Sequence, residues 1–359
     1  MISSAGPWGT GRYKMVDGVS LPNRRSDRLV LEANLDYWDP EQFPRLQRII
    51  FDNTLAQKDA VELVKTSEGR VDVITSLSPL DTLRVAESPY AKVVKNRKHL
   101  ETIVGLFNMR KVGSPWLEKR VRQAANYAIH REDLIRYAAK GNGEIIPALI
   151  PVHGFGYDPN LTPYPFDPTK AQHLLREAGY ANGLALTVIA PDALVIQATV
   201  VGKMLEQVGL TVDLQVLDAD SFNQKIILSH LDRPAEQQVW DIAVTNWPDP
   251  INFPLFELYT TLALDGHADW VIEEPELRQL YEHALRTVHR EQQQALIHQM
   301  ERHTRDQAYF LFLYNPLGLY AVNKAVEFVP ETIPFLSLDY TSVTPQHWSV
   351  REPKTTGHE

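Results

Sequence analysis

The sequence predicts an α/β protein, and three observations carry that prediction. Leu184–Ile189, Val212–Val216 and Trp240–Thr245 each read as a strand, and helical stretches separate them. Between Asp167 and Gly179 the chain shows a complete helix signature: an Asp N-cap, Pro168 in the first turn, then Ala171, Leu174, Leu175 and Ala178 at i, i+3, i+4 and i+7. Finally, 359 residues exceed one ordinary domain, so two are expected. With 44% hydrophobic and 23% charged residues, the chain has the composition of a folded globular protein, which excludes a disordered one.

Each element follows from local pattern. Arg28–Glu32 and Leu46–Phe51 read as strands, the second after the turn-rich Asp39–Pro44. Ala56–Ser67 reads as a helix with Ala60, Leu63 and Val64 on one face, ended by Gly69, and Val71–Ile74 as a strand, which together give a β-α-β expectation. Trp116–Ala139 reads as two short helices interrupted at His130, with Glu132 and Asp133 in a first turn where carboxylates favour the positive end of the helix dipole. Gly141–Gly143 breaks the pattern. Pro147–Pro168 is long, rich in proline and aromatics, and expected to wrap a surface. The next helix, Ala193–Val208, is closed by Gly209, and another lies near Ser221–Leu228. Pro275–His289 and Glu291–Asp306 read as helices, Phe310–Tyr314 and Leu319–Val322 as strands. An extended tail runs from Glu331 and frays over Pro353–Glu359.

Charge and composition narrow the function. There are 36 basic and 45 acidic residues, a net charge of −9, and no long basic run, which argues against nucleic acid as a partner. The absence of cysteine excludes disulfides, thiolate metal sites and cysteine nucleophiles. No apolar run reaches the ~18 residues that suggest a membrane span, and Met1–Trp8 does not read as a signal peptide. His283, His289, His298 and His303 are spaced by six, nine and five, which never sets two imidazoles one helical turn apart. They are expected to be solvated surface, with no metal and no cofactor. Gly9-Thr10-Gly11 completes no phosphate-binding motif, no nucleophile elbow is present, and the acidic pair Glu273-Glu274 reads as a solvated loop. No enzyme activity is expected. Trp247 and Asp249 directly follow a buried-looking strand, where open α/β sheets present ligand groups, so Trp247 could be a wall and Asp249 a cation anchor.

Several segments in order resemble the extracytoplasmic solute-binding proteins of ABC transporters, family 5, the peptide/nickel cluster. Gly9–Lys14 is similar to the family's GTGPYK, Leu31–Trp38 to LxxNPDYW, and Gly69–Ile74 to its GEVDI strand. Arg120–Ile135 resembles RVRQAINYAIDREALI, and Tyr164–Tyr180 the YDPEKAKxLLxEAGY helix. The resemblance implies a periplasmic-binding-protein-like (class II) fold of two α/β lobes that close on a solute without bond chemistry. The implied lobes are 1–139 with 317–359, and 140–316. The implied partners are a small solute or peptide and the importer's membrane subunits, in the periplasm. The implied ligand residues are Trp247, Asp249, Tyr314 at the second crossing, Asn108 near a lobe rim, and Tyr157 and Tyr164 on the long connection.

Two departures stand beside the resemblance. Family members carry roughly 150–200 residues before the first of these segments, so an N-terminally shortened first lobe is expected, its bare surface covered by a partner or a second copy. The family's GWxADYxDP motif is reduced here to Asn246-Trp247-Pro248-Asp249-Pro250. The alternative reading is a shortened, repurposed member acting in the cytoplasm as a structural or regulatory subunit.

Overall fold

The computed structural model describes residues 10–21, 24–67, 69–228, 239–249, 252–257, 270, 275–331 and 336–350. Gly9, Pro250, Glu273-Glu274, His358 and the Pro353–Glu359 tail lie outside them. The chain divides into two compact units. One comprises the residues through Asn96 with Leu319–Glu331 and the segment from Leu336 onward. The other is centred on Arg97–Gly318.

The first unit is built from short strands. Among the described residues, β1 (Tyr13–Asp17) pairs antiparallel with β4 (Arg28–Ala33), which pairs antiparallel with β5 (Arg48–Asp52). The small hairpin β2 (Ser20–Leu21) and β3 (Arg24–Arg25) lies between β1 and β4 in the chain. Helix α1 (Gln57–Val64) follows, then β6 (Val73–Ile74), α2 (Thr82–Ala86) and β7 (Ala91–Asn96). The expected β-α-β unit does not form. β5 stays with β4, whereas β6 pairs antiparallel with a strand some 250 residues on, so α1 joins two different sheets instead of crossing over one.

The second unit carries the α/β pattern. β8 (Glu101–Phe107) leads to α3 (Lys119–Ala128), α4 (Arg131–Ala138) and β9 (Gly143–Glu144). Then come α5 (Pro168–Glu177), β10 (Leu184–Pro191), α6 (Val195–Glu206), β11 (Leu210–Leu217), α7 (Ala219–Asn223) and β12 (Ile242–Pro248). The chain continues through α8 (Pro254–Glu257), α9 (Pro275–Arg286), α10 (Arg290–Gln307) and β13 (Phe310–Pro316). The sheet order among the described residues is β11-β10-β12-β8-β13-β9. β10 is parallel to both β11 and β12, as the sequence predicts, and β8 runs antiparallel between β12 and β13. α5 begins as expected: the Asp167 carboxylate accepts the Lys170 amide at 2.8 Å, and Gly179 takes the left-handed conformation (φ +92°) after its last turn.

β8 explains why the boundary falls at Asn96/Arg97, whereas the sequence placed it near residue 139. It pairs along its length with β12 and β13, and α3 packs on α5 and β13, so residues 97–139 are built into the second unit. At its centre Gly105 allows close approach: a Cβ there would stand 2.9 Å from the Leu311 Cβ and 3.1 Å from Ile242.

Between β9 and α5 the long connection lies along α10. The buried Glu301 carboxylate accepts the amides of Leu149 and Ile150 at 3.1 and 3.0 Å, and Thr102 donates to the Leu149 carbonyl at 2.9 Å. Over Phe310–Phe312 the edge of β13 away from β8 is closed by side chains. Asn126 donates to the Phe310 carbonyl at 2.8 Å and accepts the Phe312 amide at 3.1 Å, while Arg131 Nε donates to the Phe312 carbonyl at 2.8 Å. Both residues belong to the Arg120–Ile135 segment of the family resemblance, and both are spent on backbone. Burial pushes the Arg131 guanidinium down to about 10.

The chain then returns to the first unit through β14 (Gly318–Asn323), the strand that receives β6, and ends in β15 (Val326–Glu327) paired with β16 (Ser342–Val343). No helix among the described residues is long and apolar enough to cross a membrane.

Candidate functional site

The carboxyl ends of the parallel strands β10, β11 and β12 share one edge of the second unit's sheet. The start of antiparallel β8 and the end of β13 complete it. Open α/β sheets bind ligands at such an edge, because loops there are free to vary while strands fix their roots. Trp247 stands on it, cross-strand from Thr102, half-buried, with its ring edge-on to Phe310 at 6.2 Å. Tyr314 flanks β8 from the other side, opposite Ile103 across an irregularity in β13. Its ring is buried, and its hydroxyl accepts from Gln197 Nε2 at 3.2 Å. Burial pushes that hydroxyl up to about 12; the Gln197 hydrogen bond opposes the shift and Glu101 adds to it.

Asp249 follows Trp247 on the same edge and is 7% exposed. Its amide donates to the Leu100 carbonyl at 2.8 Å, and its carboxylate accepts the Phe253 amide at 2.9 Å, which starts the turn into α8. Asn252, at φ +53°, accepts the Phe155 amide on its side-chain oxygen at 2.7 Å and ties the long connection to this edge.

The remaining residues expected at a ligand site lie elsewhere. Asn108 follows the far end of β8, seven strand residues or about 20 Å from Trp247's edge. It is fully buried: its Nδ2 donates to the Trp240 carbonyl at 3.1 Å, and its Oδ1 accepts the amides of Arg110 and Lys111. These bonds make it the brace of a turn. Tyr164 is buried against Phe312 and Tyr127, its hydroxyl donating to the Arg305 carbonyl at 2.8 Å. Burial pushes that hydroxyl also up to about 12, although Arg305 nearby pulls it down. The Tyr157 carbonyl receives His298 Nε2 at 3.0 Å. Both tyrosines fasten the connection to α10.

The four helix histidines divide. His283 and His289 are exposed, as expected. His298 and His303 are half-buried, the first on the Tyr157 carbonyl and the second 6.0 Å from the Tyr309 ring, so the solvated-surface expectation fails for these two. The sequence reading did not single out His99, Glu101, Asn315 and Gln197, which lie on or beside the Trp247 edge. One signal was present: Glu101 is the single charge at the mouth of the apolar run Thr102–Phe107.

These sheets and helices make the fold of the periplasmic binding proteins. Peptide-bound DppA of Helicobacter pylori, in complex with peptide STSA, matches at a TM-score of 0.74 and 20% identity over 95% of this chain and 62% of that one. The dipeptide-binding protein of Pseudoalteromonas sp. SM9913, in complex with Met-Leu, matches at 0.73 and 22% over 94% and 64%. At these identities the likeness establishes fold alone. The chain belongs to the bacterial extracellular solute-binding proteins, family 5, whose middle-region profile matches residues 3–268. A curated relative, the glutathione-binding protein GsiB of Pectobacterium atrosepticum, is 28% identical over 219 residues. That match covers 59% of this chain and 40% of the relative, so the chain spans less than half of GsiB's length.

Proposed function

We propose that the protein captures a small solute, a peptide or a molecule of similar size, for an ABC importer in the periplasm, without making or breaking bonds. The observation that carries this reading is a half-buried Trp247 at the carboxyl edge of the parallel strands in a family 5 fold. The named relatives, which bind glutathione, a tetrapeptide and a dipeptide, support the solute class. In this reading Trp247 is a wall, Tyr314 backs the same edge, and Asp249 contributes a negative field. Capture uses the open–closed equilibrium that the family resemblance implies.

Calorimetric titration against short peptides, glutathione and nickel chelates tests it. Trp247→Ala is expected to weaken binding of whichever solute registers by about 2 kcal/mol, roughly thirtyfold, because aromatic anchors dominate buried interfaces. Wild-type protein that binds none of these, yet pulls down a stoichiometric protein partner, would overturn the reading in favour of a repurposed subunit.

A further inference from the structure

The parallel strands on this edge each lead to an aspartate, and each aspartate is already committed. Asp192 after β10 accepts the Ala193 amide at 2.7 Å. Asp218 after β11 holds the Ser221 amide and hydroxyl at 2.9 and 2.6 Å. Asp249 after β12 takes the Phe253 amide at 2.9 Å. Carboxylates that cap turns in this way hold loops in place and have less left to offer a solute.

Glu101 is held by a side chain and not by a turn amide. It opens β8 on the same edge, opposite Pro248 and next to the Thr102–Trp247 pair. Its side chain keeps 21% exposure, and its partner is a side chain, His99, whose Nε2 lies 2.7 Å from Oε2. The backbone beneath is clamped: the buried Asn315 donates from Nδ2 to the carbonyls of both His99 and Glu101. The His99 ring is largely enclosed, its side chain 14% exposed, and its Nδ1 is buried without a hydrogen-bond partner among the described residues. Of the other charges on this edge, Arg97 and Glu144 pair with each other at 3.2 Å.

We propose that Glu101 determines the solute's charge class, selecting a group with a protonated amine or guanidinium, and that His99 and Asn315 are its positioning residues. This inference rests on the solute-binding reading above. An acceptor fixed before binding loses little freedom when a cation arrives, and a carboxylate–ammonium hydrogen bond is roughly twice as strong as a neutral one.

The test uses the full chain and a panel of di- and tripeptides, among them trialanine and Ala-Lys-Ala, each as the free amine and fully acetylated. Wild type is expected to prefer the free amines by about tenfold or more. Glu101→Gln should abolish the preference while leaving the affinity for acetylated peptides and the melting temperature unchanged. Glu101→Asp should restore part of it. A preference that survives Glu101→Gln, one that vanishes only with Asp249→Asn, or a wild type that binds both forms equally would overturn the inference while leaving solute binding intact. A wild type that binds no peptide of either form overturns the solute-binding reading for peptides and this inference with it.

Discussion

Tyr164 and Tyr314 show how one residue type serves two ends in this molecule. Both hydroxyls are raised to about 12 from an ordinary 10, chiefly by burial. In the unfolded chain the same phenols ionise near 10, so above that pH the unfolded state holds fewer protons than the folded one. Stability from these groups is therefore complete below pH 10 and is lost as pH rises through 12, by on the order of 2 kcal/mol for each. Denaturant melts across pH 9–12, followed alongside phenolate absorbance, should show the loss, and Tyr164→Phe should reduce it. A residue's role was poorly legible from its type: Asn108, Tyr164 and Trp247 all looked like ligand contacts. Their hydrogen-bond partners show Asn108 bracing a turn and Tyr164 fastening the long connection, neither of which the residue type announces.

At the scale of elements, patterning was a sound guide wherever polar and apolar residues alternate or a helix carries its own caps. α5 and β11 are of this kind, while β10 and β12 stand out as short apolar runs next to helical stretches. β8 escaped notice because a strand buried on both faces has no alternation to read, and Gly105 at its centre looks like a break. That glycine is a requirement of packing. Gly105→Ala should cost about 1–3 kcal/mol, since β8 is held on both sides and cannot move aside, and urea midpoints check it. α1 misled in the opposite way. Its strand–helix–strand pattern is real, but pairing partners far away in sequence decide which sheet each strand joins. Asn126→Ala should be more costly than its size suggests, about 3 kcal/mol, because it strands a buried amide and a buried carbonyl of β13 together.

For the whole molecule, the core follows the chain's insertion order. The large apolar cluster runs from Ile103 to Tyr314, and Val322, Val326 and Phe328 form a separate one. A fragment of residues 97–318 is therefore expected to fold alone with a single cooperative thermal transition and near-native circular dichroism, because its described core needs no residue from outside. A broad, non-cooperative melt would contradict this. The family resemblance implied two parts, and its motifs fall in both compact units. Its implied boundary near residue 139 lies some forty residues beyond the Asn96/Arg97 division of the compact units, and no motif marks the start of β8.

The closure of β13 by Asn126 and Arg131 has a consequence for how such sequences diverge. A side-chain amide and a guanidinium five residues apart imitate the backbone of a neighbouring strand, and almost no other pair of side chains offers the same donors and acceptor at that reach. The segment is thus under constraint from the scaffold whatever the cargo. A match to this segment therefore speaks for the scaffold and is silent about the solute.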